Sequence, residues 1–281
     1  MVDATDHNIT KVSNVIKISM SKATQFPNAV QLMADHILTH MPLDKAASSH
    51  PSRPLFVAVQ GPQGIGKTYL TSLLRESLAS PPHSLNVAVL SIDDFYLSHR
   101  DLRALAEAHP GNRLLLGRGL PGTHDMKLGR RVLKELREIN VGSAKVVTTP
   151  VFDKSLHGGE GDQLPYSEGV VVCGPVDVVI LEGWFVGFCP IPEGDVEMRW
   201  ELWPDGLCTF DKKEFRLEDL KLVNELLRNY VDWWALFDVF VQVSESFALR
   251  ISTRVFDGSC NCLQTPPIIA SINGGLSKNI I

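Results

Sequence analysis

The chain has no C-x-x-C pair, no excess of basic residues and no long uninterrupted apolar run, and each absence removes a class of function. Its five cysteines, Cys173, Cys189, Cys208, Cys260 and Cys262, are an odd number without metal-ligand spacing, which argues against a disulfide framework or a zinc site. Buried thiols in a reducing compartment are the expectation. A formal net charge of -5 gives no general field for nucleic acid or anionic lipid, so neither is expected as a partner. Residues 170–192 form the longest apolar stretch, and Pro175, Asp177 and Glu182 interrupt it, which argues against a membrane span. The opening MVDATDHNIT lacks a signal-peptide core and is acidic before it is basic, so a cytoplasmic location is expected. There is no fixed-period repeat and no low-complexity tract.

What remains is the composition of an ordinary globular protein, 281 residues with 44% hydrophobic and 21% charged. Residues 1–53 read as an N-terminal extension with one helix over 28–41, where Val30, Met33, Ile37 and Met41 share a face. Short apolar runs then recur: LFVAVQ at 55–60, VAVLSI at 87–92, VVTTPVF at 146–152, VDVVIL at 176–181 and VFVQV at 239–243. Runs of this length without alternation suit strands covered on both faces. With helical patterns between several of them, they predict a parallel sheet wound by crossover helices, an α/β domain over 54–245. In such a sheet ligands gather beyond the carboxyl ends of the strands. No periodicity assigns a structure to residues 246–281.

The first run leads directly into Gly61-Pro62-Gln63-Gly64-Ile65-Gly66-Lys67-Thr68, followed by a helical pattern over 67–78. This is G-x-x-x-x-G-K-[ST] between a strand and a helix, the context the phosphate loop of nucleotide-binding proteins requires. The glycines let successive amides converge on phosphate oxygens, and the helix start adds its positive dipole end. Lys67 is expected to bridge the β- and γ-phosphates of ATP, and Thr68 to offer its hydroxyl to Mg²⁺. A plain joining turn would have little use for a lysine there, since desolvating its charge is costly without an anion.

Two further strand ends carry acids. The run at 87–92 ends in Asp93 and Asp94, which fit a division of labour between a base for an acceptor hydroxyl (Asp93) and a metal-side carboxylate (Asp94). The alternative is that Asp94 caps the next helix and Asp93 is solvated. The run at 176–181 delivers Glu182 toward the same metal region. Between them lies LLLGRGLPGTHD, residues 114–125, then a helix predicted over 126–139. Arg118 and His124 in this Gly- and Pro-shaped loop suit an anionic substrate, and Asp125 stands where a helix N-cap would. Trp233 and Trp234, in a helical stretch over 217–237, read as packing residues. His157 has no partners at metal-ligand spacing and does not indicate zinc.

Taken together, GPQGIGKT, SIDDFYL, LLLGRGLPGTHD, PVFDKSLHGGEGD and VILEGWFVGF resemble the D-glycerate 3-kinase group and its ATP-binding, kinase-like relatives in fungi and plants. The chain is more distantly similar to pantothenate, uridine and phosphoribulokinases, and the likeness spans roughly residues 30–243. It implies a P-loop kinase fold, three layers with a five-stranded parallel core sheet and helices on both faces. It also implies ATP and Mg²⁺ at 61–68, Asp93 as base, Glu182 at the metal or its water, and Arg118, His124, Asp125 and Lys154 around a small hydroxyl acceptor. D-Glycerate is the leading acceptor on that reading. The sequence departs from the family pattern at Gln163, where a basic residue is expected, and after Val243, where Cys260-Asn-Cys262 and Pro266-Pro267 are unlike the relatives. Arg250 and Arg254, at i and i+4, are the candidate lid cations in that segment. Three functions stay open at this point: a small-molecule kinase, an ATP-binding protein of the same fold with little or no transfer, or a simple ATPase whose ADP release is indifferent to any acceptor.

Overall fold

The computed structural model describes residues 14–20, 26–41, 53–142, 145–202 and 214–245. In chain order the strands and α-helices are β1 (Val15–Met20), α1 (Phe26–Thr39), β2 (Leu55–Gln60), α2 (Lys67–Ala79), β3 (Val87–Ser91), α3 (His99–Ala108) and α4 (Met126–Arg137). They continue with β4 (Val146–Thr149), β5 (Phe152–Asp153), β6 (Asp162–Gln163), β7 (Val170–Cys173), β8 (Val178–Gly183), α5 (Glu193–Glu201), α6 (Leu217–Leu226), α7 (Val231–Trp234) and β9 (Val239–Glu245).

Five strands form the central sheet in the order β1-β9-β2-β8-β3, and every pairing is parallel. Every residue of β2 and β8 is buried, as their unbroken apolar runs require of strands covered on both faces. The period of two divides their side chains between two cores. Val57, Val59, Val178 and Ile180 pack with α1 and α2, including Met33, Ile37, Leu70 and Leu74. Phe56, Ala58, Val179 and Leu181 face the opposite layer with α4, α6 and α7, where Tyr230, Trp233 and Trp234 are almost wholly buried. The two tryptophans are therefore packing residues, as the helical pattern around them suggests.

The sheet has the expected count of five strands but not the expected members. The run at 146–152 is not a core strand. Its first part, β4, pairs antiparallel with β7 in a separate hairpin, and β5 pairs with β6. The reason is incomplete burial: Val147 is 4% exposed, but Val146 is 62%, and Val170 and Val171, on opposite faces of the partner strand, are 57% and 58%. The fifth core strand is instead β1, at the sheet edge beside β9 and inside the segment read as an extension. Its sequence, VIKISM, interrupts the apolar run with Lys17 and Ser19 and so gives no continuous-run signal.

The cysteines also differ from expectation. Cys173 is free but exposed rather than buried, and Cys189 is disulfide-bonded. Among the described residues no helix is long and apolar enough to cross a membrane.

Candidate active site

β2 lies at the centre of the sheet, so the loop leaving its carboxyl end, 61–66, sits between the ends of β8 and β9. Glycine is required at its first position because a Cβ on Gly61 would stand 2.8 Å from the carbonyl oxygen of Val243 on β9. At the last position Gly66 takes φ 86°, ψ 25°, a left-handed turn that starts α2 without a side-chain cap and leaves the first amides of the helix open to an anion. Lys67 opens that helix. Its side chain is folded inward, only 9% of the residue is exposed, and Nζ donates to the carbonyl of Pro62 at 2.9 Å. Burial pushes its pKa below the usual lysine range, opposed by the charges of Glu182 and Asp93. A confined cation on one neutral carbonyl is well suited to exchange that partner for phosphate oxygens.

The neighbouring strand ends bring the acids to this loop. Parallel register sets Glu182 of β8 beside Ser91 of β3 on one side and Val59 of β2 on the other. Glu182 is 4% exposed, and its Oε1 accepts the hydroxyl of Thr68 at 3.0 Å. Burial raises its pKa, while Lys67 and the hydrogen bonds from Thr68 and Ser91 oppose the rise. Ser91 works in both directions, since its Oγ also accepts the amide of Asp93 at 3.3 Å. Asp93 then holds Lys154 Nζ at 2.6 Å on one oxygen and the Tyr96 hydroxyl at 2.9 Å on the other. Its burial favours the neutral acid, but Lys154 and Tyr96 outweigh that and hold its pKa below the usual carboxylate range. Thr68, Glu182, Ser91, Asp93 and Lys154 thus form one continuous polar line from the phosphate loop to the loop after β5.

Asp94 turns another way. Its Oδ1 accepts the amide of Phe152 at 3.2 Å, and its pKa is raised to about 6, chiefly by burial. Of the three residues expected at the metal, the structure joins Thr68 and Glu182 directly, whereas the bonded oxygen of Asp94 fastens the acceptor loop to the end of β3. Among the described residues no group of three or more His, Cys, Asp and Glu side chains is arranged to cage a metal. A Mg²⁺ ion that keeps its waters and bridges to phosphate oxygens needs no such cage, so the Thr68–Glu182 pair fits that ion's habits.

The side of the site facing the phosphate loop, where an acceptor is expected, is made of loops tied to one another. His124 is 2% exposed, stacks on Tyr96 with ring centres 4.4 Å apart, and bonds through Nδ1 to the Tyr230 hydroxyl at 2.9 Å. Burial lowers its pKa to about 3, so it is neutral at physiological pH. Arg118 donates to the carbonyls of Gly159 and Glu160 and lies over the Phe152 ring, which binds the two Gly-rich loops together. Asp125 caps α4, accepting the amides of Lys127 and Leu128 at 3.0 and 2.9 Å, and also borders a groove of about 410 Å³ with Lys127, Arg131, Gln163 and Tyr166. Arg250 and Arg254 lie outside the described residues. Sequence reasoning missed Ser91, Tyr96 and Tyr230. The first two stand inside the quoted SIDDFYL motif, where a hydroxyl next to an acid was signal enough, but Tyr230 lies in an apolar helical stretch and gives none.

No family model matches the chain. Among curated proteins it is 44% identical over 143 residues to the probable ATP-dependent kinase TDA10 of Saccharomyces cerevisiae, 50% of this chain and 49% of that protein. It is 32% identical over 200 residues to the chloroplastic D-glycerate 3-kinase of Arabidopsis thaliana, 71% of this chain and 39% of that one. The chain thus spans half or less of the length of these two curated relatives. Among solved structures, D-glycerate 3-kinase from Cryptococcus neoformans superposes with a TM-score of 0.67 at 37% identity, over 76% of this chain and 72% of that one. A phosphate loop, acids at two neighbouring strand ends and this likeness agree: the chain belongs to the D-glycerate 3-kinase family of P-loop kinases.

Proposed function

We propose that the protein is an ATP-dependent kinase that moves the γ-phosphoryl group onto the hydroxyl of a small acceptor, with D-glycerate first among candidates. The observation that carries this is the polar line from Thr68 through Glu182 and Ser91 to Asp93 and Lys154, which sets an ionised carboxylate beside a phosphate loop.

In this reading the amides of 61–66 and Lys67 bind the phosphates. Thr68 and Glu182 would hold Mg²⁺, which when bound offsets phosphate charge and orients the transferring group. Each oxygen of Asp93 already receives one hydrogen bond and has a lone pair left for the acceptor hydroxyl. As the acceptor oxygen bonds to the γ-phosphorus and the bond to the bridging oxygen breaks, ADP leaves and the hydroxyl proton passes to Asp93. Lys154 keeps Asp93 ionised beforehand and, at the mouth of the acceptor loop, suits an acceptor with a carboxylate of its own. Most of the acceleration in such chemistry is positioning and charge stabilisation. The cytoplasmic setting inferred from the sequence belongs to the same proposal.

The purified chain should release ADP from ATP and Mg²⁺ in the presence of D-glycerate, and less with other hydroxy acids, nucleosides or sugars. Tight ATP binding with no acceptor-dependent ADP across that panel would instead support the reading of an ATP-binding protein without transfer.

A further inference from the structure

The polar contacts around Tyr230 assign protons that distances alone leave open. Its oxygen accepts the amide of Gly122 at 2.8 Å and lies 2.9 Å from His124 Nδ1. Gly122 offers an N–H, so of these two neighbours only Nδ1 can take the phenolic proton, and the hydroxyl donates there. Nδ1 is then bare, and in the neutral ring the remaining proton sits on Nε2. That atom is buried and has no hydrogen-bond partner among the described residues. A buried donor left without a partner is costly and calls for an explanation.

The surroundings supply one. The ring lies face to face with Tyr96, whose hydroxyl holds Oδ1 of Asp93, and the charge of Asp93 reaches it. Its other ring neighbours are Phe185 and Tyr230, at centroid distances of 5.3 and 5.6 Å, so aromatic walls enclose it. We propose that Tyr230 is a positioning residue that locks His124 as the Nε2–H tautomer, and that this N–H is a donor kept for a second oxygen of the acceptor beside Asp93. The inference rests on the kinase reading and deepens it: the acceptor carries an oxygen besides the reacting hydroxyl, and the site reads that oxygen with a neutral donor, leaving the charge of Asp93 unneutralised on this side.

The test is a long-range ¹⁵N–¹H correlation spectrum of His124 in the ¹⁵N-labelled full chain with an unreactive ATP analogue, recorded without and with D-glycerate. The expected result is a protonated Nε2 and a bare Nδ1, with the Nε2–H proton shifting when the hydroxy acid is added. In Tyr230→Phe the acceptor KM should rise about tenfold with the ATP KM unchanged, the size expected for losing a well-placed hydrogen bond. A protonated Nδ1, or an Nε2–H signal unmoved by D-glycerate and by every other hydroxy acid, overturns the inference whether or not Tyr230→Phe folds. An ATP KM that rises in parallel with the acceptor KM overturns it too. A shifted Nε2–H with no ADP formed leaves the inference standing and sinks the kinase reading instead.

Discussion

The two halves of this site are held in place by different kinds of structure. On the phosphate side, Lys67 and Thr68 open the helix that follows fully buried β2, Glu182 stands near the end of fully buried β8, and parallel register alone fixes Glu182 against β2 and β3. On the acceptor side, His124, Lys154 and Arg118 ride on loops whose positions come from side-chain bonds to distant segments. His124 reaches Tyr230 across 106 residues, Lys154 reaches Asp93 across 61, and Asp94 reaches Phe152 across 58. The lesson is that backbone packing makes the nucleotide half robust, whereas the acceptor half depends on single polar contacts and so is the half a few substitutions can retune.

The sharpest way to separate the halves is Asp93→Asn, at their seam. Acceptor-dependent turnover should fall about a thousandfold, the usual worth of a placed general base, while ATP affinity measured by calorimetry stays within about twofold. Equal losses in both would mean that the halves are not distinct. Next in size is Gly129→Ala, at the packing of α4 on α7. A Cβ at Gly129 would fall 2.0 Å from the Trp233 ring, so helix α4 could not keep its seat on α7. The cost should be about 3 kcal/mol in a denaturant titration, despite the roughly 1 kcal/mol that alanine gains in helix propensity. A neutral or stabilising result would show that this packing yields.

A smaller effect concerns the tether of the acceptor loop. The folded pKa of Asp94, about 6, lies above its ordinary value of 3.8, so the folded state holds a proton that the unfolded chain releases between those limits. Its contribution to stability is therefore full below pH 3.8 and is lost as pH rises toward 6. Because the carboxyl is half-buried and partly screened, the loss should be on the order of 1 kcal/mol. Melting curves without Mg²⁺ should show Asp94→Asn removing that slope, and an unchanged slope would refute the assignment.

The same contrast explains what the sequence made legible. The phosphate loop, the acids at the ends of two strands and four of the five core strands are local patterns: a spacing of glycines, a lysine at a helix start, an unbroken apolar run. β1 escaped notice because VIKISM mixes polar residues into an edge strand. The run at 146–152 was read as core because composition does not reveal that Val146 faces water. Asp125 was legible as a helix cap, and the structure shows it as one. Nothing local in Tyr230 or Gly129 marks their partners, since both are defined by a contact made from the far side of the fold. Residues of the phosphate loop could be read from their neighbours in sequence, whereas those of the loops facing it needed neighbours in space.

The central claim is that Lys67, now folded onto the Pro62 carbonyl, and the amides before it grip a triphosphate. A calorimetric titration of Lys67→Ala with ATP and Mg²⁺ tests it most directly. Affinity should fall at least about tenfold, as expected when a charge-assisted contact to phosphate is removed. Affinity equal to that of the unaltered chain would contradict the account.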